Sequence, residues 1–184
     1  MLGLVLVTTA ARFDGSLEPS SYVVYAAKTP SHAWEGRAPV ESLRLSFDAD
    51  APNTNFDLEI ILNADSFTSG NFARDINARR TVFDTDLYPQ IIFTAKRLSA
   101  NTVLSDDGEY ALELSGVLSM HGVSRDLKTP LTVTRTEDTL SASGSFDVLL
   151  SDFEMKSPSI FGSTVEDRVT ISYFIETVLT PSDL

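Results

Sequence analysis

Apolar and polar residues alternate with a period of two over most of this chain. In Ser42-Leu43-Arg44-Leu45-Ser46-Phe47 the apolar side chains share one face, the pattern of a half-buried antiparallel strand. The same alternation runs through Phe56, Leu58, Ile60 and Leu62, through Tyr110, Leu112 and Leu114, and through Leu131 and Val133. It returns in Leu140, Ala142, Gly144, Phe146 and Val148, and in Val169, Ile171, Tyr173 and Ile175. Tyr22 to Ala27 and Ile91 to Lys96 add β-forming runs. Turn signals separate them at Asp50-Ala51-Pro52-Asn53, Ser105-Asp106-Asp107-Gly108, His121-Gly122 and Thr136-Glu137-Asp138. About eight antiparallel strands in one all-β domain result, and closure into a barrel removes the exposed edges such a sheet otherwise presents.

One stretch breaks the alternation. Residues 71–83 read as a helix with Phe72, Ile76 and Phe83 on one face and Ser69 or Asn71 as N-cap. Asp75 and Arg79 stand four residues apart and are placed to pair. Leu87-Tyr88-Pro89 ends the excursion, because a residue before proline favours extended geometry. A helix between two strands is placed to lie across one barrel mouth.

Composition narrows the function. The chain has 184 residues, 42% hydrophobic, with no internal repeat or linker, the size of one domain. Its net charge of −12 argues against nucleic-acid binding and against docking on anionic lipid headgroups. There is no cysteine, so disulfides, thiolate catalysis and cysteine metal sites are excluded. The two histidines, His32 and His121, have no HxH or HExxH spacing, and neither a metal site nor a cofactor is expected. Residues 1–16 read either as a truncated signal segment, with Leu2 to Val7 as its apolar end, or as an N-terminal arm on a domain of residues 17–184. No segment reads as a transmembrane helix.

Catalytic signatures are weak. No GxSxG elbow occurs, and His121 reads as a turn histidine beside Gly122, although it is the best candidate for a base. The carboxylate pairs Asp84/Asp86 and Asp106/Asp107 read as solvated loop residues. Arg79 and Arg80 are candidates for an anionic head group or for ion pairs with Asp75, Asp84 or Asp86. Eleven phenylalanines and one tryptophan are present. Phe67, Phe72, Phe83, Phe153 and Phe161 fall in or beside connecting segments, where they suit an apolar ligand site or a plug that fills the barrel.

Three blocks carry a resemblance. Ser66 to Arg80 contains Arg74-Asp75, and Phe83-Asp84, Tyr88-Pro89 and Ile91-Ile92-Phe93 follow. Leu114 to Arg125 contains Met120-His121-Gly122-Val123. Gly144 to Ile171 contains Asp152-Phe153 and Val165-Glu166-Asp167-Arg168-Val169. In order and spacing these resemble the YceI-like family over roughly residues 41–178, whereas Tyr22 to Val40 matches loosely and Glu154 stands where the family often has glycine.

The resemblance implies a lipocalin-like antiparallel barrel whose tunnel holds a polyisoprenoid, an isoprenoid quinone or a similar lipid, without catalysis. It also implies a bacterial protein exported to the periplasm or the cell exterior; a cytoplasmic location and a homodimer are left open. Given a tunnel, alternation points Leu43, Leu45, Phe47, Leu58, Ile60, Phe93, Leu112, Leu114, Phe146 and Val148 inward, with Phe72, Ile76 and Phe83 from the helix. Arg79, Arg80 and His121 are the candidate head-group contacts. The alternative is a structural or interaction module with a solid, side-chain-filled barrel.

Overall fold

A computed structural model describes residues 12–99, 104, 106–160 and 162–182. Its strands are β1 (Arg12–Leu17), β2 (Tyr22–Thr29), β3 (His32–Pro39), β4 (Ser42–Asp48), β5 (Phe56–Asn63) and β6 (Gln90–Ser99). They continue as β7 (Gly108–Met120), β8 (Val123–Thr136), β9 (Thr139–Leu149), β10 (Ser159–Ile160), β11 (Ser163–Thr164) and β12 (Arg168–Pro181). β10 and β11 form a separate two-stranded ribbon. The helical excursion is α1 (Phe72–Asn77) running on into a π turn over Ala78–Phe83. Asn71 caps α1 by accepting the Arg74 N–H.

The ring is closed by β1, which pairs with β4 on one side and β12 on the other. β1 and β2 behave as one bent strand: both pair with β12, at Leu17↔Thr177 and Tyr22↔Phe174. At the bend Ser21 replaces a ladder rung: its hydroxyl donates to the Glu176 carbonyl and accepts the Glu176 N–H. β3 and β4 continue each other in the same way, pairing with β2 and β1. Eight strand positions therefore make a closed antiparallel barrel. Arg12 to Ser16 of the segment read as a leader or arm thus belong to a barrel strand, whereas residues 1–11, with the apolar run Leu2 to Val7, lie outside the described residues.

The two ends differ. At the β8–β9 turn end, Leu45, Phe47, Leu58, Leu98, Leu112, Leu131, Val133 and Leu179 form a closed cluster. Arg135 seals it, donating to the Leu104 and Glu137 carbonyls with its guanidinium 4.7 Å from the Phe13 ring centre. At the opposite end the wall is split twice. β3 leaves β5 and touches the 64–83 segment instead, through the Arg37↔Thr68 bridge. β8 and β9 pair only from Leu131↔Gly144 to Thr136↔Thr139. The upper barrel is therefore two four-stranded sheets, β5-β6-β7-β8 and β9-β12-β2-β3, facing each other.

Candidate functional site

Between these sheets lies a cavity of about 1360 Å³ of empty space, its mouth included. A water centre can move through about 170 Å³ of it, roughly ten times what a single water needs. The half-buried state of Ile60, Phe93, Phe146, Ile171 and Tyr173 is explained by it: they line a hollow, not a filled core. The solid-barrel alternative fits only the closed end.

Three aromatics build one wall near the mouth. Phe67 and Phe83 stack with ring centres 5.5 Å apart, and Tyr25 meets both at 5.5 and 6.4 Å. The Tyr25 ring fits because Gly36 opposite it has no Cβ, and the Tyr173 ring lies over Gly144 for the same reason. Burial raises the Tyr25 and Tyr173 phenols above their usual value, Asp75 adding to the effect on Tyr25. Arg74 is the one charged side chain among the described lining residues. It donates from Nε to the Ser69 hydroxyl at 2.8 Å, and its guanidinium lies 5.1 Å from the ring centre of Trp34 at the mouth.

Asp75, buried behind Arg74, pins the loop before the helix. Its carboxylate accepts from the Thr68 hydroxyl at 3.0 Å, the Ser69 N–H at 2.9 Å and the Ser69 hydroxyl. Burial opposes its charge, but the bonds from Ser69 and Thr68, aided by Arg79, outweigh that and hold the carboxyl below its usual value. A carboxyl so depressed stabilises the fold above the unfolded-state value of ~3.9 and loses that contribution as pH falls through its own lower value. Asp75→Asn is expected to melt earlier than the parent at pH 7, with the gap closing below about pH 4. Thermal melts from pH 7 to 2 check this; a constant gap shows that hydrogen-bond geometry, not charge, is what matters.

Of the residues expected inside, Ile60, Phe83, Phe93, Leu114, Phe146 and Val148 line the cavity. Leu45, Phe47, Leu58 and Leu112 also point inward but lie in the closed-end cluster, below the hollow. Leu43 packs against both clusters without lining the cavity. Phe72 instead faces solvent, 78% exposed, because it opens the helix on its outer side. Ile76 is half-buried and does not line the cavity either; the helix presents Arg74, Asn77, Ala78 and Val82 to it. Phe153 is buried but off the cavity, and Phe161 lies outside the described residues.

The expected head-group contacts also stand elsewhere. Arg79 pairs with Asp65 at 3.4 Å, not with Asp75, and Arg80 is exposed. His121 sits in the β7–β8 turn at φ 52°, its Nδ1 3.1 Å from the Phe153 carbonyl and its ring centre 4.6 Å from that of Tyr88. None of the three lines the cavity. Arg74 and Asn77, which do, were missed, because polar residues at a mouth invert the hydrophobic pattern that marks a core face; Trp34 also lines it, from a strand whose buried residues, Gly36 and Ala38, give no apolar alternation.

An antiparallel barrel, solid at one end and hollow and apolar at the other, has the lipocalin-like architecture. The chain belongs to the YceI-like family, whose domain model matches residues 16–177. Its fold is similar to that of BcnA from Burkholderia cenocepacia, with a TM-score of 0.73 at 19% identity over 88% of this chain and 99% of that one. It is also similar to a polyisoprenoid binding domain from Saccharophagus degradans implicated in plant cell wall breakdown, with a TM-score of 0.70 at 13% identity over 91% and 98%. The Campylobacter jejuni YCEI protein follows, with a TM-score of 0.55 at 19% identity over 79% and 84%. No curated protein matches the chain by sequence.

Proposed function

We propose that this protein binds one long apolar amphiphile, a polyisoprenoid, an isoprenoid quinone or a similar lipid, without transforming it. The observation that carries this reading is the cavity, whose lining is apolar except for Arg74, Asn77, Thr129 and the polar ends of Tyr25, Trp34 and Tyr173. Each buried CH₂ contributes ~0.8 kcal/mol, so a prenyl chain gains affinity without polar contacts. The polyisoprenoid-binding neighbour of the same fold supports the ligand class. A periplasmic or secreted location, and a role in transport, storage or stress response, belong to the same proposal.

Trp34 supplies the test, since it is the only tryptophan and stands at the mouth. Titration with geranylgeraniol or a short-chain ubiquinone is expected to change its fluorescence saturably, with one ligand per chain by native mass spectrometry. An unchanged spectrum together with an unshifted melting temperature overturns the reading.

A further inference from the structure

The ladder between β8 and β9 stops halfway. Below, six pairs join the strands from Leu131↔Gly144 to Thr136↔Thr139. Above, Val123 to Pro130 and Ser145 to Leu149 have no ladder between them. Neither strand is frayed there. That part of β8 stays in register with β7, from Leu127↔Gly116 to Val123↔Met120, and that part of β9 with β12, from Ser145↔Ser172 to Leu149↔Arg168. Only the seam is open.

Local chemistry explains where the seam parts. Pro130, the first residue above the last pair, has no N–H to continue the ladder. The Tyr173 ring lies across Gly144 at that level, its hydroxyl 2.5 Å from where a Cβ on Gly144 would stand. At the top, the His121 Nδ1 contact with the Phe153 carbonyl spans the gap. Between these limits the facing backbone groups have no strand partner, and such groups persist only where water reaches them.

The slot also has a face on each side of the barrel wall. Leu118, Leu127 and Val148 form a partition here, bordering the cavity on one side and on the other an outer groove of about 570 Å³, open solvent included. The groove's rim is charged, with Arg168 paired to Asp147 at 2.9 Å and Arg125 and Asp126 beside them. A chain entering at the mouth meets the packed cluster around Phe47 and Leu112 at the far end, so the axis of the barrel gives it no exit.

We propose that the slot between β8 and β9 is a lateral portal of the cavity, which takes the far end of the bound apolar chain out through the barrel wall. The proposal rests on the lipid-binding reading above. Chain length is then limited by the side opening, and chains longer than the hollow are accepted because their ends emerge between the charged rims.

The test uses the whole chain and geranylgeraniol carrying a diazirine at the end remote from the hydroxyl, with Trp34 fluorescence reporting occupancy. Photolabel is expected on Arg125, Asp126 or Asp152 at the groove. Label confined to interior side chains such as Leu114 overturns the portal and leaves lipid binding standing; no Trp34 response overturns the reading beneath it. A second measurement uses Lys128→Cys with Asp147→Cys, two exposed positions that oppose each other when the Leu131↔Gly144 register is extended. The chain has no other cysteine, so a short bis-maleimide bridges only this seam. Affinity for geranylgeraniol is expected to fall at least tenfold when the seam is bridged before loading, because the far end of the chain then has no way out; equal affinities in bridged and unbridged protein overturn the portal.

Discussion

A Phe47→Ala variant is expected to lose about 3–5 kcal/mol of stability, whereas Phe146→Ala loses well under half of that. Both side chains point inward, but at different levels. Phe47 is 2% exposed, packed in the closed-end cluster with its ring centre 5.9 Å from that of Phe13. Removing it opens a void among side chains that cannot collapse, so the cavity cost adds to the lost burial. Phe146 is half-buried and already borders a hollow, so its loss enlarges a space that exists and creates little new surface strain. Urea unfolding of the two variants measures the difference. Equal losses show that the upper barrel is packed as tightly as the lower.

The opposite manipulation acts on binding. Ile60→Phe combined with Ile171→Phe adds bulk from two walls of the hollow, at positions with open space in front of them. If the added rings displace one isoprene unit, about five carbons at ~0.8 kcal/mol each, affinity falls by roughly 4 kcal/mol, about a thousandfold. Stability is expected to hold or rise, because the rings fill a void without overpacking. Trp34 fluorescence titration of the double variant with geranylgeraniol reads the loss. Undiminished affinity places the ligand outside this cavity.

Much of the barrel was legible because a half-buried strand writes its two faces into alternate residues. The inward side of β4, β5, β7 and β9 follows directly from Leu45, Leu58, Leu114 and Phe146. Height along the barrel does not follow, since Leu58 and Ile60 obey one alternation yet one packs in the solid end and the other lines the hollow. The parting of β8 from β9 decides that difference, and a parting between strands leaves no local period. β3 was missed for a related reason. β3 turns Gly36 and Ala38 inward, small residues suited to the Tyr25 ring and a crowded wall, so its buried face reads as neither apolar nor β-branched. On the helix, the pattern singled out Phe72 and Ile76, whereas the segment borders water and shows the cavity Arg74 and Asn77. Asp75 is buried because it ties down a loop, a role that periodicity does not encode.

The pairing of the first described strand with the last has a consequence for how the molecule is made. Phe13 lies opposite Pro181, so the ring cannot close until the chain as far as β12 has left the ribosome. Until then β1 and β2 hold one unpaired edge, and local hairpins such as β7–β8 are the structure available. Closing so long a loop carries a high entropic cost and places this chain among slow folders. A nascent copy therefore stays open and apolar until β12 emerges, a window in which chaperones bind and in which a truncated product lacking β12 exposes strand edges that associate with one another.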